Sequence, residues 1–142
     1  MVKSLYSKVA RINSNLSVST LIKKIKESLP GSLRVKLPKE IGVVEIRPSQ
    51  SSLFNKIYRG RKKSTNVLSF YYGSGYGEIL VCPEIIRQEA KKQDNSFQYQ
   101  MTWMILHGIL HLAGVHHENS RALAKKAELI EQKILGKIGN DL

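Results

Sequence analysis

The chain has 142 residues, 42% hydrophobic and 24% charged, with a formal net charge of +12 at neutral pH. That length suits one ordinary domain with a single core. No run is apolar enough to span a membrane, and Met1-Val2-Lys3-Ser4-Leu5-Tyr6-Ser7 lacks the apolar stretch of a secretory leader. Cys82 is the only cysteine, which excludes an internal disulfide, so a cytoplasmic location with no membrane partner is expected.

The positive charge is unevenly placed. Residues 1–65 carry fifteen Lys and Arg against three acids (Glu27, Glu40 and Glu45), whereas residues 66–142 carry eight of each sign. A one-sided cationic field is the usual footprint of a polyanion, most often nucleic acid; the bland explanation is a solvated basic surface.

In chain order, residues 2–12 mix apolar and polar positions and read as a first strand. Ser17 and Ser19 offer N-caps for a helix over Leu21–Leu29, with Leu21, Ile22, Ile25 and Leu29 on one face and Lys23, Lys24 and Lys26 on the other. Pro30-Gly31 stops it. Leu33, Val35 and Leu37 alternate like a short strand closed by Pro38, and Ile41–Ile46 is a stronger strand ended by Pro48. A short helix follows, capped within Ser49–Ser52 and running to about Tyr58, with Leu53, Ile57 and Tyr58 expected inward. Beyond a basic turn, Val67–Tyr72 and Glu78–Cys82 flank a glycine-rich loop, which predicts an antiparallel hairpin. Cys82 reads as a small buried residue at a strand end.

Pro83 suits the first turn of a helix over Glu84–Lys92. A second helix spans Phe97–Ala113, and an amphipathic last helix runs from Ser120 to about Lys137, with Leu123, Ala127, Ile130 and Ile134 on its apolar side. Strands early and helices late, with few βαβ units, predict an α+β fold: a single domain over residues 1–142.

The most informative stretch lies in the Phe97–Ala113 helix and just past it. All four histidines (His107, His111, His116 and His117) fall within eleven positions. Two imidazoles four residues apart share one helix face, about 6 Å apart along the axis, which is the spacing of two ligands on one metal ion. Gly114 suits the left-handed residue that ends a helix and lets the chain bring back a third imidazole. Three nitrogen ligands with one open position define a catalytic zinc site. Lone helical histidines are usually surface or core residues, but unliganded imidazoles in so apolar a flank are costly. Gly108 stands where zinc proteases carry their glutamate base, which argues against peptide hydrolysis. Glycine in mid-helix costs about 1 kcal/mol relative to alanine, so a close approach of backbone or substrate is expected there.

A second constellation is Tyr58-Arg59-Gly60-Arg61-Lys62-Lys63-Ser64-Thr65-Asn66. Arginine presents a planar fork to phosphate oxygens, and glycine lets backbone amides face an anion. Most charged loops only face water. Beside a metal site, however, arginine is what phosphodiester cleavage needs.

Together these blocks resemble the YbeY family of endoribonucleases and ribosomal-RNA maturation factors. The resemblance rests on His107-Gly108-x-Leu110-His111-Leu112-x-Gly114-x-x-His117, Tyr58-Arg59-Gly60, Thr65-Asn66-Val67-Leu68-Ser69-Phe70 and Gly77-Glu78-Ile79-Leu80-Val81-Cys82, in that family's order over residues 58–117. It implies a mixed sheet of about four strands packed with about five helices, and one zinc ion held by His107, His111 and His117. It also implies Arg59 as a catalytic phosphate contact, with Arg61, Lys62, Lys63 and Ser69 as the expected substrate contacts. The implied function is single-strand-specific endoribonuclease action in 16S rRNA maturation, ribosome biogenesis and quality control, with single-stranded ribosomal RNA and the small subunit as partners. The alternative is a non-catalytic, metal-stabilised RNA-binding assembly factor. Val115-His116 stands where the family usually has Tyr-Asp, Tyr71 where it has proline, and Glu78 where it has aspartate. His116 and Glu118 are the nearest candidates for a general base, on sequence proximity alone.

Overall fold

The computed structural model describes residues 17–60, 66–115 and 120–138, and for Arg59 the backbone alone. Six helices and three strands follow in the order α1 (Val18–Ser28), α2 (Gly31–Arg34), β1 (Glu40–Glu45), α3 (Pro48–Arg59), β2 (Val67–Tyr71), β3 (Tyr76–Val81), α4 (Pro83–Gln93), α5 (Phe97–Leu112) and α6 (Arg121–Ile138). The α+β class is as expected. The sheet is mixed, in the order β1-β3-β2. β1 runs parallel to β3, and β2 pairs antiparallel with β3 as the expected hairpin. Three strands, against the expected four, occur among the described residues; the strand expected over residues 2–12 lies outside them.

Local chemistry sets the helix starts. Ser17 Oγ accepts from the Thr20 N–H at 3.2 Å, and Ser96 Oγ accepts from the Tyr99 N–H at 3.1 Å, each satisfying a donor that the first turn leaves orphaned. Pro48 and Pro83 occupy first-turn positions of α3 and α4, where a missing N–H costs nothing.

Three expectations fail. Ser49–Ser52 do not cap α3, which starts at Pro48 with Arg47 as its N-cap. Leu33, Val35 and Leu37 do not form a strand: Pro30 carbonyl accepts from the Leu33 and Arg34 N–H groups, closing the turn of α2. Arg34 Nη2 then donates to Leu29 O at 2.9 Å and ties that turn to the end of α1. Nor do Leu53, Ile57 and Tyr58 point inward; each is more than half exposed. The buried side of α3 is Ser51, Phe54 and Asn55, so the helix turns a polar-edged stripe to the sheet.

Two apolar layers sandwich the sheet. On one face, Val67, Ile79 and Val81 meet Ile105, Leu106, Ile109 and Leu110 of α5, with α1 and α6 closing the core behind. Burial of each such Leu or Ile contributes about 1.5–3 kcal/mol. On the other face, Val44, Leu68, Leu80 and Cys82 pack with Phe54 of α3. Cys82 is fully buried, and burial pushes its thiol pKa up, which fits packing and not reactivity. This second face continues as an aromatic run: Tyr58 meets Phe70 edge-on, Phe70 stacks with Tyr72, and Tyr72 with Tyr76. Tyr76 donates its hydroxyl to the buried Glu78 carboxylate at 2.7 Å; burial, then that bond, pushes its pKa well above the usual phenol range.

Candidate metal centre and cleft

Helix α5 lies on the sheet through a glycine. A Cβ at Gly108 would stand 2.8 Å from Ile79 Cγ2 and 3.0 Å from Ser69 Oγ. The close approach expected at this glycine is therefore that of the helix backbone to the sheet. Ser69 Oγ donates to Gly108 O at 3.1 Å and pins the helix to β2. One turn on, a Cβ at Gly77 would meet Leu112 at 3.1 Å, so a second glycine, this time on β3, seats the end of α5.

That seating presents His107 and His111 side by side. Their ring centroids are 4.7 Å apart at an interplanar angle of 51°. This separation lets one nitrogen of each ring reach a common ion at the roughly 2.0–2.1 Å of a zinc–nitrogen bond. His107 Nδ1 lies 2.8 Å from Oε2 of Glu131 on α6, a carboxyl only 5% exposed. The other oxygen, Oε1, accepts from Trp103 Nε1 at 2.9 Å. An ionised carboxylate accepts only, and opposite one Nδ1 would carry the proton and leave Nε2 with the lone pair a metal would use. A histidine ligand whose far nitrogen is held by a carboxylate is a recurrent feature of zinc sites. The donor set fits the ion. Among the described residues no group of three potential ligands is assembled; His117, the third expected ligand, lies outside them, as do His116 and Glu118.

The helix ends as Gly114 predicts. Gly114 has φ +85°, its N–H donates to His111 O at 3.0 Å, and the Val115 N–H donates to Leu110 O at 3.0 Å. Both bonds belong to the left-handed helix stop, and the chain leaves the axis three residues after His111.

His111 opens onto a cleft of about 400 Å³ lined by Lys36, Ser69, Tyr71, Leu112, Ala113 and Gly114. Ser69, an expected substrate contact, stands in this cleft, but its proton is already given to Gly108. What it offers a ligand is an acceptor oxygen. Arg59 is the last residue of α3, and Gly60, at φ +67°, turns the chain after it. Arg61, Lys62 and Lys63 lie outside the described residues. Asn66 of the Thr65–Phe70 block proves structural: its amide donates to Glu89 Oε1 at 2.8 Å and to Met104 Sδ at 2.9 Å, tying the start of β2 to α4 and α5.

Sequence reasoning missed three residues of this region. Glu131 was hidden in a helix of mixed charge, although its spacing from Ala127 and Ile134 put it on the buried face. Lys36 and Tyr71 reach the cleft only through tertiary folding.

The fold and site define a class: an α+β protein with a carboxylate-braced histidine pair on a helix, beside a cleft at the edge of a mixed sheet. A family model described as Endoribonuclease YbeY matches residues 6–139. A protein named Endoribonuclease YbeY from Acinetobacter baylyi is 36% identical over 129 residues, covering 83% of this chain and 81% of that protein. One of the same name from Thermotoga neapolitana is 34% identical over 122 residues, covering 79% and 82%. The solution structure of a Thermotoga maritima protein superposes with a TM-score of 0.55 at 26% identity, covering 87% of each chain. The chain belongs to the YbeY endoribonuclease family.

Proposed function

We propose that this member of an endoribonuclease family is a zinc-dependent hydrolase that cleaves single-stranded RNA, with ribosomal RNA (16S rRNA maturation) as its substrate. The observation that carries the metal reading is the pair of imidazoles 4.7 Å apart, one of them braced by a buried carboxylate. His107, His111 and His117 would hold the ion. When bound, zinc supplies Lewis-acid polarisation of a phosphoryl oxygen or an activated water.

The protein's own groups do the rest. Glu131 keeps the His107 proton on Nδ1 and the ring in one orientation. Arg59 would neutralise the scissile phosphate, and Arg61, Lys62 and Lys63 would hold the flanking backbone with a marked salt dependence. No described helix is long and apolar enough to cross a membrane; a cytoplasmic site of action on the ribosomal small subunit is part of this reading.

The test combines elemental analysis of the purified protein with cleavage of single-stranded and duplex RNA. The wild type should hold about one zinc per chain and cut the single strand alone. His111→Ala should lose both metal and activity; Arg59→Ala should keep the metal and lose cleavage by a factor on the order of 10²–10³. A wild type that holds zinc and binds RNA without cutting it would replace this reading with an RNA-binding assembly factor.

A further inference from the structure

The cleft beside His111 contains an aromatic ring, Tyr71, that stacks on no other ring among the described residues. Tyr58, Phe70, Tyr72 and Tyr76 engage one another on the far face of the sheet. Tyr71 engages no ring among the described residues and is 55% exposed. Strand alternation explains its direction, since Val67, Ser69 and Tyr71 share the face turned toward α5. Tyr71 pairs across the ladder with Gly77, the glycine over which Pro38 and Leu112 pack. Among the described strands β2 lies at an edge of the sheet, and Tyr71 ends it. A single exposed tyrosine is ordinary. What distinguishes this one is its company: the exposed Lys36 and the histidine His111 line the same cleft.

We propose that Tyr71 and Lys36 form a nucleotide subsite next to the histidines, where one base of an RNA single strand stacks on the Tyr71 ring and an adjacent phosphate pairs with the Lys36 ammonium. This rests on the ribonuclease reading above and adds to it a source of strand selectivity. A base can lie on a tyrosine face only when it has left its own stack and pairing partner, so the subsite accepts single strands and rejects duplex. Stacking needs only a π-face, so it tolerates any of the four bases. The lysine contributes charge and no base readout.

The experiment measures KM and kcat for a labelled single-stranded RNA, and equilibrium binding of the same strand, over a salt series. The proteins are wild type, Tyr71→Phe, Tyr71→Ala and Lys36→Ala. Both positions are exposed, so unchanged thermal unfolding confirms that the variants are folded. Tyr71→Ala should raise KM and Kd about tenfold, the order of one lost base stack, with kcat little changed. Tyr71→Phe should match wild type, because the phenyl ring stacks as well. Lys36→Ala should reduce the slope of log Kd against log salt by about 0.7, the share of one phosphate contact on a single strand. A wild type that cleaves RNA while Tyr71→Ala keeps its KM and Kd overturns the subsite and leaves the nuclease reading standing. A wild type that cuts no RNA, yet binds it in a Tyr71-dependent way, does the reverse.

Discussion

Glu131→Gln should weaken zinc binding by about ten- to a hundredfold, measured by competition with a chromophoric chelator. The carboxylate stands 2.9 Å from Trp103 Nε1–H and 2.8 Å from His107 Nδ1, two contacts among the described residues that it would accept. A carboxamide has one acceptor oxygen and one NH₂ group, so it can satisfy only one of them. Whichever donor loses faces the new amide hydrogens in a nearly dry site. If His107 loses, its ring is free to turn or to move its proton to the nitrogen a metal needs. If Trp103 loses, the indole of α5 loosens from α6. Either outcome also costs the fold about 1–3 kcal/mol, readable by urea unfolding of the metal-free protein. Equal zinc affinity and equal stability in the variant would show that this carboxylate braces nothing.

Gly108→Ala should destabilise the protein even though alanine is the better helix former by about 1 kcal/mol. The added methyl would sit 2.8 Å from Ile79 Cγ2, in a residue with no exposed surface and no room to withdraw. Overpacking of this kind costs about 1–3 kcal/mol, and lifting the helix also stretches the Ser69 bond to Gly108 O, worth about another 0.5–1.5 kcal/mol. The clash therefore outweighs the propensity. Tm should fall by roughly 5 °C, and on the zinc reading metal affinity should fall with it because His107 and His111 both ride on the displaced turn. A Tm equal to or above that of wild type would mean the helix has slack against the sheet.

Much of the site could be read before folding because its decisive residues are local. His107 and His111 declare themselves by helical spacing, and Gly114 by its place after the last apolar residue. Both patterns need no knowledge of distant contacts. Gly108 was legible as a close approach but not as to what approached it, since Ile79 and Ser69 come from two strands about thirty to forty positions earlier. Lys36 shows the other limit. Its segment alternates like a strand, and only the proline-started turn and the Arg34 bond to Leu29 O make it a short helix followed by a turn instead. The outward Leu53 and Ile57 mislead for a related reason: α3 buries Ser51 and Asn55 in their place, and apolar spacing cannot foresee a buried polar residue. Glu131 escaped for the same cause. A glutamate reads as surface until its two donors are known.

The parallel pairing of β1 with β3 has a kinetic consequence. β2, β3, α4 and α5 are contiguous, and the β2–β3 hairpin closes through only four residues, whereas β1 must wait for a crossover of thirty residues to find its partner. Loop-closure entropy favours the local module, so the seat of His111 assembles from chain neighbours before the sheet is complete. α6, which brings Glu131 to His107, docks onto that module from outside it. Glu131→Gln should accordingly speed unfolding while leaving the refolding rate nearly unchanged, and a slowed refolding limb would place the α5–α6 contact in the nucleus instead.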